Sequence, residues 1–330
     1  MKKNNISKFF TLILTLFVLL FSSCKKENKI FNDFDAAKEA AKSSQKDILV
    51  LVTVEGDDEN SSSFIEKVVN DSNFKSLVQK NYIVSHLDFS SESYKKTVAK
   101  EGANEEQQKI ADEEADRIYR NSNIANSLNV IQTPSAYILT NNPYVITQIN
   151  FNEENVTFED FQKALEEASP VVEEYHKNLK TAENGKDEER LLAIEKIVNS
   201  TPTDFMLFLE DLVQTYIQLD PENKSSNLAR YLTLNANIQA TNSMAIMDTQ
   251  SASEIFVNLA KSQFLSEDEK QSAYYNAAYI LTYSAEPDFV AILSLLDAAI
   301  QVYPESPDNQ GLLEIRNSIS QAMQEALTVQ

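Results

Sequence analysis

The densest run of side chains able to do chemistry follows a purely apolar stretch. Ile48-Leu-Val-Leu-Val-Thr-Val54 leads directly into Glu55-Gly-Asp-Asp-Glu-Asn-Ser-Ser-Ser-Phe64. Glu55, Asp57, Asp58, Glu59 and Asn60 crowd oxygen ligands together, which is the raw material for a cation site or for carboxylate-based hydrolysis. The spacing is not that of an EF-hand loop. The same residues suit a simpler task, because acids and serines at a helix N-terminus accept from its free N–H groups and complement its dipole. His86 and His176 are the only histidines. Neither has a second histidine or a free cysteine near it in sequence, so no zinc site is expected. There is no Gly-x-Ser-x-Gly elbow, and four isolated glycines offer no cradle for a phosphate. The residues therefore predict neither metal nor cofactor.

Sulfur chemistry is limited by the cysteine count. Cys24 is the sole cysteine, so no intramolecular disulfide can form. It follows a positive segment (Lys2, Lys3, Lys8), an apolar core from Phe9 to Phe21 that is short for a membrane span, and the small residues Ser22 and Ser23. Phe21-Ser-Ser-Cys24 resembles a bacterial lipoprotein signal, with Phe21 where an aliphatic residue is usual. The resemblance implies cleavage before Cys24, acylation of its sulfur and its new N-terminus, and a lipid anchor in the bacterial cell envelope, on a periplasmic face or at the cell surface. Residues 1–23 then form the signal and 24–30 a lipidated tether.

The net charge of −21 sets the surface character. Such a chain repels phosphate backbones, so nucleic acid is not an expected partner. Apolar residues make up 42%, enough for real cores, and the length suggests two domains once a signal is removed.

The elements that must position these side chains follow from hydrophobic pattern. Phe34, Ala37 and Ala41 mark a first helix capped by Asn32 or Asp33. Ile48–Val54 reads as a strand covered on both faces. Phe64, Val68 and Val69 line a helix, and Tyr82–Asp88 is a second strand. A polar segment at about 90–122 reads as a helical insertion, with Ile110, Ala111, Ala115, Ile118 and Tyr119 on one face. Ser135–Leu139 and Tyr144–Ile149 flank an Asn-Asn-Pro turn as a hairpin. Thr157-Phe-Glu-Asp160 starts a further helix.

Residues 31–169 resemble a thioredoxin-like domain, an α/β fold with a mixed sheet and helices on both faces. The likeness rests on Ala37-Lys38 and Ala41-Lys42, the strand Ile48–Val54, Val69-Asn-Asp71 with Phe74, Asp88, and Ile131-Gln-Thr-Pro134. It implies a cis peptide bond at Thr133-Pro134, in a loop that faces the family's CxxC motif. Here that motif falls on Asp58-Glu59-Asn60-Ser61, so Asp58 and Ser61 stand at the two cysteine positions. Thiol–disulfide exchange needs a low-pKa thiolate and a resolving thiol. Carboxylate and hydroxyl groups supply neither.

From Pro170 to Gln330 no strand pattern appears. Ser169 is expected to cap a new helix with Pro170 at its first position. Phe205 to Ile217 form one helix face, while Ser251–Glu254 and Ser266–Glu269 have capping-box form. Ala273-Tyr-Tyr-Asn-Ala-Ala278, Leu296-Asp-Ala-Ala299 and Tyr303-Pro304 resemble a degenerate tetratricopeptide repeat (TPR), beside which a plain helical bundle stays open. Tyr274, Tyr275, Tyr279 and Tyr283 at helical spacing read first as core and second as a peptide groove.

The function expected is that of a membrane-anchored envelope lipoprotein without redox chemistry, acting in protein or peptide binding or assembly. The alternative is an enzyme using the carboxylates near Asp57–Glu59, with or without a metal.

Overall fold

Ile48 to Val52 carries no polar side chain, and each of its residues is at most 1% exposed. It forms the centre of β1 (Asp47–Thr53). Burial of alternate side chains on both faces requires cover on both sides of the sheet. The computed structural model describes residues 29–329, so the signal, Cys24 and most of the tether lie outside the described residues.

Within residues up to Ser169 the elements are α1 (Phe34–Ser44), β1, α2 (Glu59–Phe64) continued by a π-helical turn (Ile65–Val69), α3 (Phe74–Val78) and β2 (Tyr82–Asp88). Then come α4 (Ser91–Lys95), α5 (Glu105–Ser127), β3 (Ser135–Leu139), β4 (Val145–Gln148) and the start of α6 (Phe158–Asn184). The four strands form one mixed sheet in the order β2-β1-β3-β4. β1 runs parallel to β2, placing Thr53 opposite Asp88, and antiparallel to β3; β3 and β4 form the expected hairpin. Phe64, Phe151 and Phe161 cluster with ring centroids 5.4–5.5 Å apart, and Phe74 reaches Phe161 at 6.3 Å.

The polar segment after β2 is more than a solvated insertion. Its long helix α5 begins in a reciprocal Asn104–Gln107 capping box and buries Ala111, Ile118, Asn121 and Ala125. Ile110 and Tyr119 are 55% and 69% exposed, so the predicted face is rotated. The physical reason lies in Asn121, which is 1% exposed. Its Oδ1 accepts from the Phe34 N–H at 3.1 Å and its Nδ2 donates to the Asn32 carbonyl at 2.8 Å. Arg120 pairs with Asp33 and Asp35, beside the start of α1. A satisfied buried amide outranks an isoleucine in setting the helix rotation, because leaving those groups unpaired costs more.

The chain divides into two compact units between Ser169 and Pro170. Ser169 is nevertheless not a helix cap. α6 runs unbroken from Phe158 to Asn184 with Pro170 inside it. A proline there forfeits one backbone hydrogen bond; the residues next to it are largely exposed, and the buried Leu165 and Tyr175 lie about a turn away on either side. The second unit continues through α7 (Asp187–Ser200), a 3₁₀ segment (Thr203–Leu209), α8 (Glu210–Leu219) and α9 (Leu228–Ala245). It ends with α10 (Thr249–Ala260), α11 (Glu267–Leu281), α12 (Phe289–Val302) and α13 (Asn309–Val329). The face predicted as one helix over Phe205–Ile217 is thus split between a 3₁₀ turn and α8. α10 starts earlier than predicted: Asp248, not Ser251, is its cap and accepts from the Ser251 N–H at 3.0 Å. Ser266 and Glu269 do form the capping box of α11.

From α9 to α13 the main packing joins helices consecutive in sequence. Ala252, Ala277 and Ala299 are fully buried and let helix backbones approach closely. Buried polar clips fasten them. Ser253 Oγ donates to the Ala277 carbonyl at 2.9 Å, and Gln271 Nε2 donates to the Ala299 carbonyl at 2.9 Å while its Oε1 accepts from Ser306 Oγ. Tyr216 and Tyr231 stack with centroids 3.5 Å apart, and the Tyr216 hydroxyl donates to Glu195.

Phe161→Ala opens a cavity among Phe64, Phe74 and Phe151. It is expected to lower unfolding stability by about 3–5 kcal/mol, read as a fall in the urea midpoint of the full chain with far-UV circular dichroism unchanged in native buffer.

Candidate functional site

The C-terminal ends of β1 and β2 open into the loop that carries the acids. Gly56, at φ +82°, takes the left-handed turn that lets the loop double back. Asp57 and Asp58 N–H groups both donate to the Val54 carbonyl, at 3.3 and 3.0 Å. Asp58 is the N-cap of α2, and its Oδ2 accepts from the Ser61 N–H at 2.8 Å. Ser61 is fully buried, with Oγ accepting from the Val54 N–H at 3.1 Å. Ser62 Oγ accepts from the Gly56 N–H and donates to the Asp58 carbonyl, each at 2.9 Å. The two positions that the resemblance assigns to cysteines therefore hold an anion that caps a short helix and a hydroxyl turned into the core.

The Thr133–Pro134 peptide bond is cis. Thr133 Oγ1 lies 3.4 Å from Asp58 Oδ2, so the loop before β3 faces the acidic loop after β1. Pro134 is buried, whereas Ile131, three residues before it, is 86% exposed.

His86 and Asp88, two residues apart on β2, take part in a cluster that the sequence pattern did not reveal. Asp88 Oδ1 accepts from the Glu55 N–H at 2.9 Å and from Thr53 Oγ1 at 3.4 Å. Its Oδ2 accepts from the Ser90 and Ser93 hydroxyls at 2.5 and 2.6 Å. His86 Nε2 sits 2.7 Å from Thr53 Oγ1. Every donor has an acceptor when His86 Nε2–H donates to Thr53 and Thr53 donates to Asp88, which is the assignment the network favours. The available signal was Asp88-Phe-Ser90 followed by Ser93, an acid just ahead of a serine N-cap for α4. Asp57 completes the ring, because its Oδ2 accepts from the Ser91 N–H.

These contacts set the charge states. Burial pushes the Asp88 carboxyl up, but hydrogen bonds from Ser90, Ser93 and the Glu55 N–H, with the His86 charge, outweigh it and hold the group below its usual 3.8. Burial likewise raises Asp58, and hydrogen bonds from Ser61, the Asn60 N–H and Thr133 bring it below 3.8. The N–H and hydroxyl of Ser91 lower Asp57 in the same direction. Burial lowers His86 below 6.5 against the pull of Asp88. At neutral pH the site is therefore a set of ionised carboxylates fixed by N–H and O–H donors, beside a neutral imidazole. Carboxylates held ionised in this way are poor general acids. Among the described residues no group of three or more His, Cys, Asp or Glu side chains is placed to hold a metal ion.

Comparisons with known proteins cover parts of the chain. The model of a family described as an uncharacterised protein C-terminal domain matches residues 228–326, from the start of α9 into α13. No curated protein matches. A solved structure named DsbH Oxidoreductase is 14% identical and aligns over 46% of this chain and 92% of its own, with a TM-score of 0.30. At that score the likeness carries no argument about fold or activity.

The pKa directions give a signed pH dependence. His86 is depressed in the folded chain, so its contribution to stability is whole above pH 6.5 and is lost as pH falls through its folded pKa, the unfolded chain taking the proton first. Asp88 behaves likewise from 3.8 downward. Urea midpoints are expected to fall from pH 7.5 to pH 5.5, with His86→Gln showing a smaller fall. Asp88→Ala, which strips the Ser90, Ser93 and Glu55 donors of their acceptor, is expected to cost about 2–3 kcal/mol at pH 7.

Proposed function

We propose that this chain is an envelope lipoprotein, held to a membrane by lipid on Cys24, that binds or assembles polypeptides without thiol chemistry. In this reading the first unit is thioredoxin-like and the second TPR-like. The observation that carries it is the 3.4 Å approach of Asp58 to Thr133 across a cis-proline loop, with no sulfur on either side. The scaffold presents a loop pair able to receive extended backbone, while the residues at the cysteine positions serve only to fasten it. An exposed isoleucine at position 131 adds apolar surface at the rim. The consecutive packing of α9 to α13 supports a repeat-like stack, since solenoid units bury their faces on sequence neighbours. Such stacks leave an extended surface for polypeptide.

Two measurements test this. Cys24→Ala is expected to move the full chain out of the membrane fraction and to abolish its labelling by an alkyne fatty acid; membrane retention with undiminished labelling would refute the anchor. A photo-activated phenylalanine analogue at Ile131, in the full chain in its native envelope, is expected to cross-link a polypeptide. Cross-linking to nothing but solvent or lipid would refute polypeptide binding at the proline loop.

A further inference from the structure

One helix of the second unit turns aromatic rings to water. α11 buries Ala273, Ala277, Ala278, Ile280 and Leu281; Tyr275 and Tyr279 lie one helical turn apart on it, and Tyr283 follows in the turn just past its end. Tyr274 and Tyr275 are partly buried and pack against the core, as the core reading of these tyrosines expects, Tyr275 keeping one edge at the surface. Tyr279 and Tyr283 do not: they are 49% and 52% exposed. The three rings form a row. Tyr275 and Tyr279 lie 6.1 Å apart and nearly parallel, and Tyr279 and Tyr283 lie 5.2 Å apart edge to face. The hydroxyls of Tyr279 and Tyr283 bond to each other, which fixes both rings while leaving aromatic surface open. Beside Tyr275 an open cleft of about 360 Å³ runs between α11 and α13, lined also by Pro307, Asp308, Leu312 and Ile315.

From the row onward the sequence carries almost one sign of charge, the preceding base being Lys270 in the second turn of α11. Between Gln271 and Gln330 there are seven carboxylates and a single base, Arg316, with no lysine or histidine. Arg316 is committed to Asp297, through contacts of 2.5 and 3.1 Å. Asp308 lines the cleft at the Tyr275 end, and the loop that follows α11 carries Tyr283, Glu286 and Asp288. Tyrosine faces attract cations through the ring quadrupole, and more strongly when the cation is partly desolvated. An extended chain repeats same-side side chains every ~6.4–6.8 Å, near the 6.1 Å spacing of Tyr275 and Tyr279 and longer than the 5.2 Å of Tyr279 and Tyr283.

We propose that the Tyr275–Tyr279–Tyr283 row and its cleft dock an extended basic polypeptide segment. Its Lys or Arg side chains lie over the tyrosine rings, and Asp308 and Glu286 pair with the cations at the two ends. This inference rests on the polypeptide-binding reading above and names the chemistry of the partner and the surface that takes it.

The test uses the full chain in detergent micelles and three labelled dodecapeptides, alternating Lys-Ala, Ser-Ala and Glu-Ala, followed by fluorescence anisotropy. The lysine peptide is expected to bind at least tenfold more tightly than the serine peptide, with affinity falling as salt rises. The double variant Tyr279→Ala, Tyr283→Ala keeps the net charge unchanged and is expected to weaken lysine-peptide binding at least tenfold; Asp308→Asn is expected to weaken it at least threefold. An unchanged affinity in the tyrosine variant would mean that overall negative charge holds the peptide, and overturns the proposal. So does a wild-type chain that fails to prefer the lysine peptide, a result that needs no variant to fold. If cross-linking at Ile131 still captures polypeptide, such a failure removes only this surface and leaves the broader binding reading in place.

Discussion

A strand with nothing polar between Ile48 and Val52 tolerates water on neither face, and the first unit is arranged around that constraint. Parallel pairing with β2 and antiparallel pairing with β3 satisfy its backbone. Helices and the phenylalanine cluster around Phe161 complete the burial of that unit's core. Beyond the buried β1 the chain turns back at Gly56. The loop beyond must then satisfy its own N–H groups at the edge of an apolar core, and the acids do this. Asp57, Asp58 and Asp88 each accept from at least one main-chain N–H. Acidity that looks catalytic in one dimension serves as backbone acceptor capacity in three.

This accounting bears on chemistry. A carboxylate engaged by two or more donors is stabilised as an anion, so its proton affinity drops just where acid catalysis would want it raised. His86, held neutral by burial, ends a chain of hydrogen bonds through Thr53 to Asp88 rather than facing an exposed nucleophile. The geometry suits a hydrogen-bonded rim better than general acid catalysis, and the exposed surfaces lie at Ile131 beside the proline loop in one unit and at Tyr279 and Tyr283 in the other.

In the second unit the balance is between small and large side chains. Alanines draw α10, α11 and α12 close, and the buried groups Ser253 and Gln271 lock their spacing with hydrogen bonds to main-chain carbonyls. Close packing of the alanine side leaves Tyr279, and Tyr283 just past the end of α11, about half exposed.

Much of this was legible in one dimension. The apolar run of β1, the strand Tyr82–Asp88, the hairpin and the boxes at Thr157 and Ser266 depend on neighbours a few residues away, so local pattern was enough to find them. The chemistry that a lone cysteine denies is likewise a property of the sequence. Tertiary structure decided the rest. Nothing local reveals that Asn121 reaches back to Phe34, that Asp88 gathers donors from Glu55 and Thr53 across a strand pair, or that α6 passes straight through Pro170. Periodicity gives the set of residues on a helix face but not the direction that face points, because rotation is settled by the distant polar groups that must be satisfied. The sequence alone therefore determined that one thiol is present and no second one to resolve a mixed disulfide, and only the fold decided which carboxylates are already engaged and which tyrosines are left to the solvent.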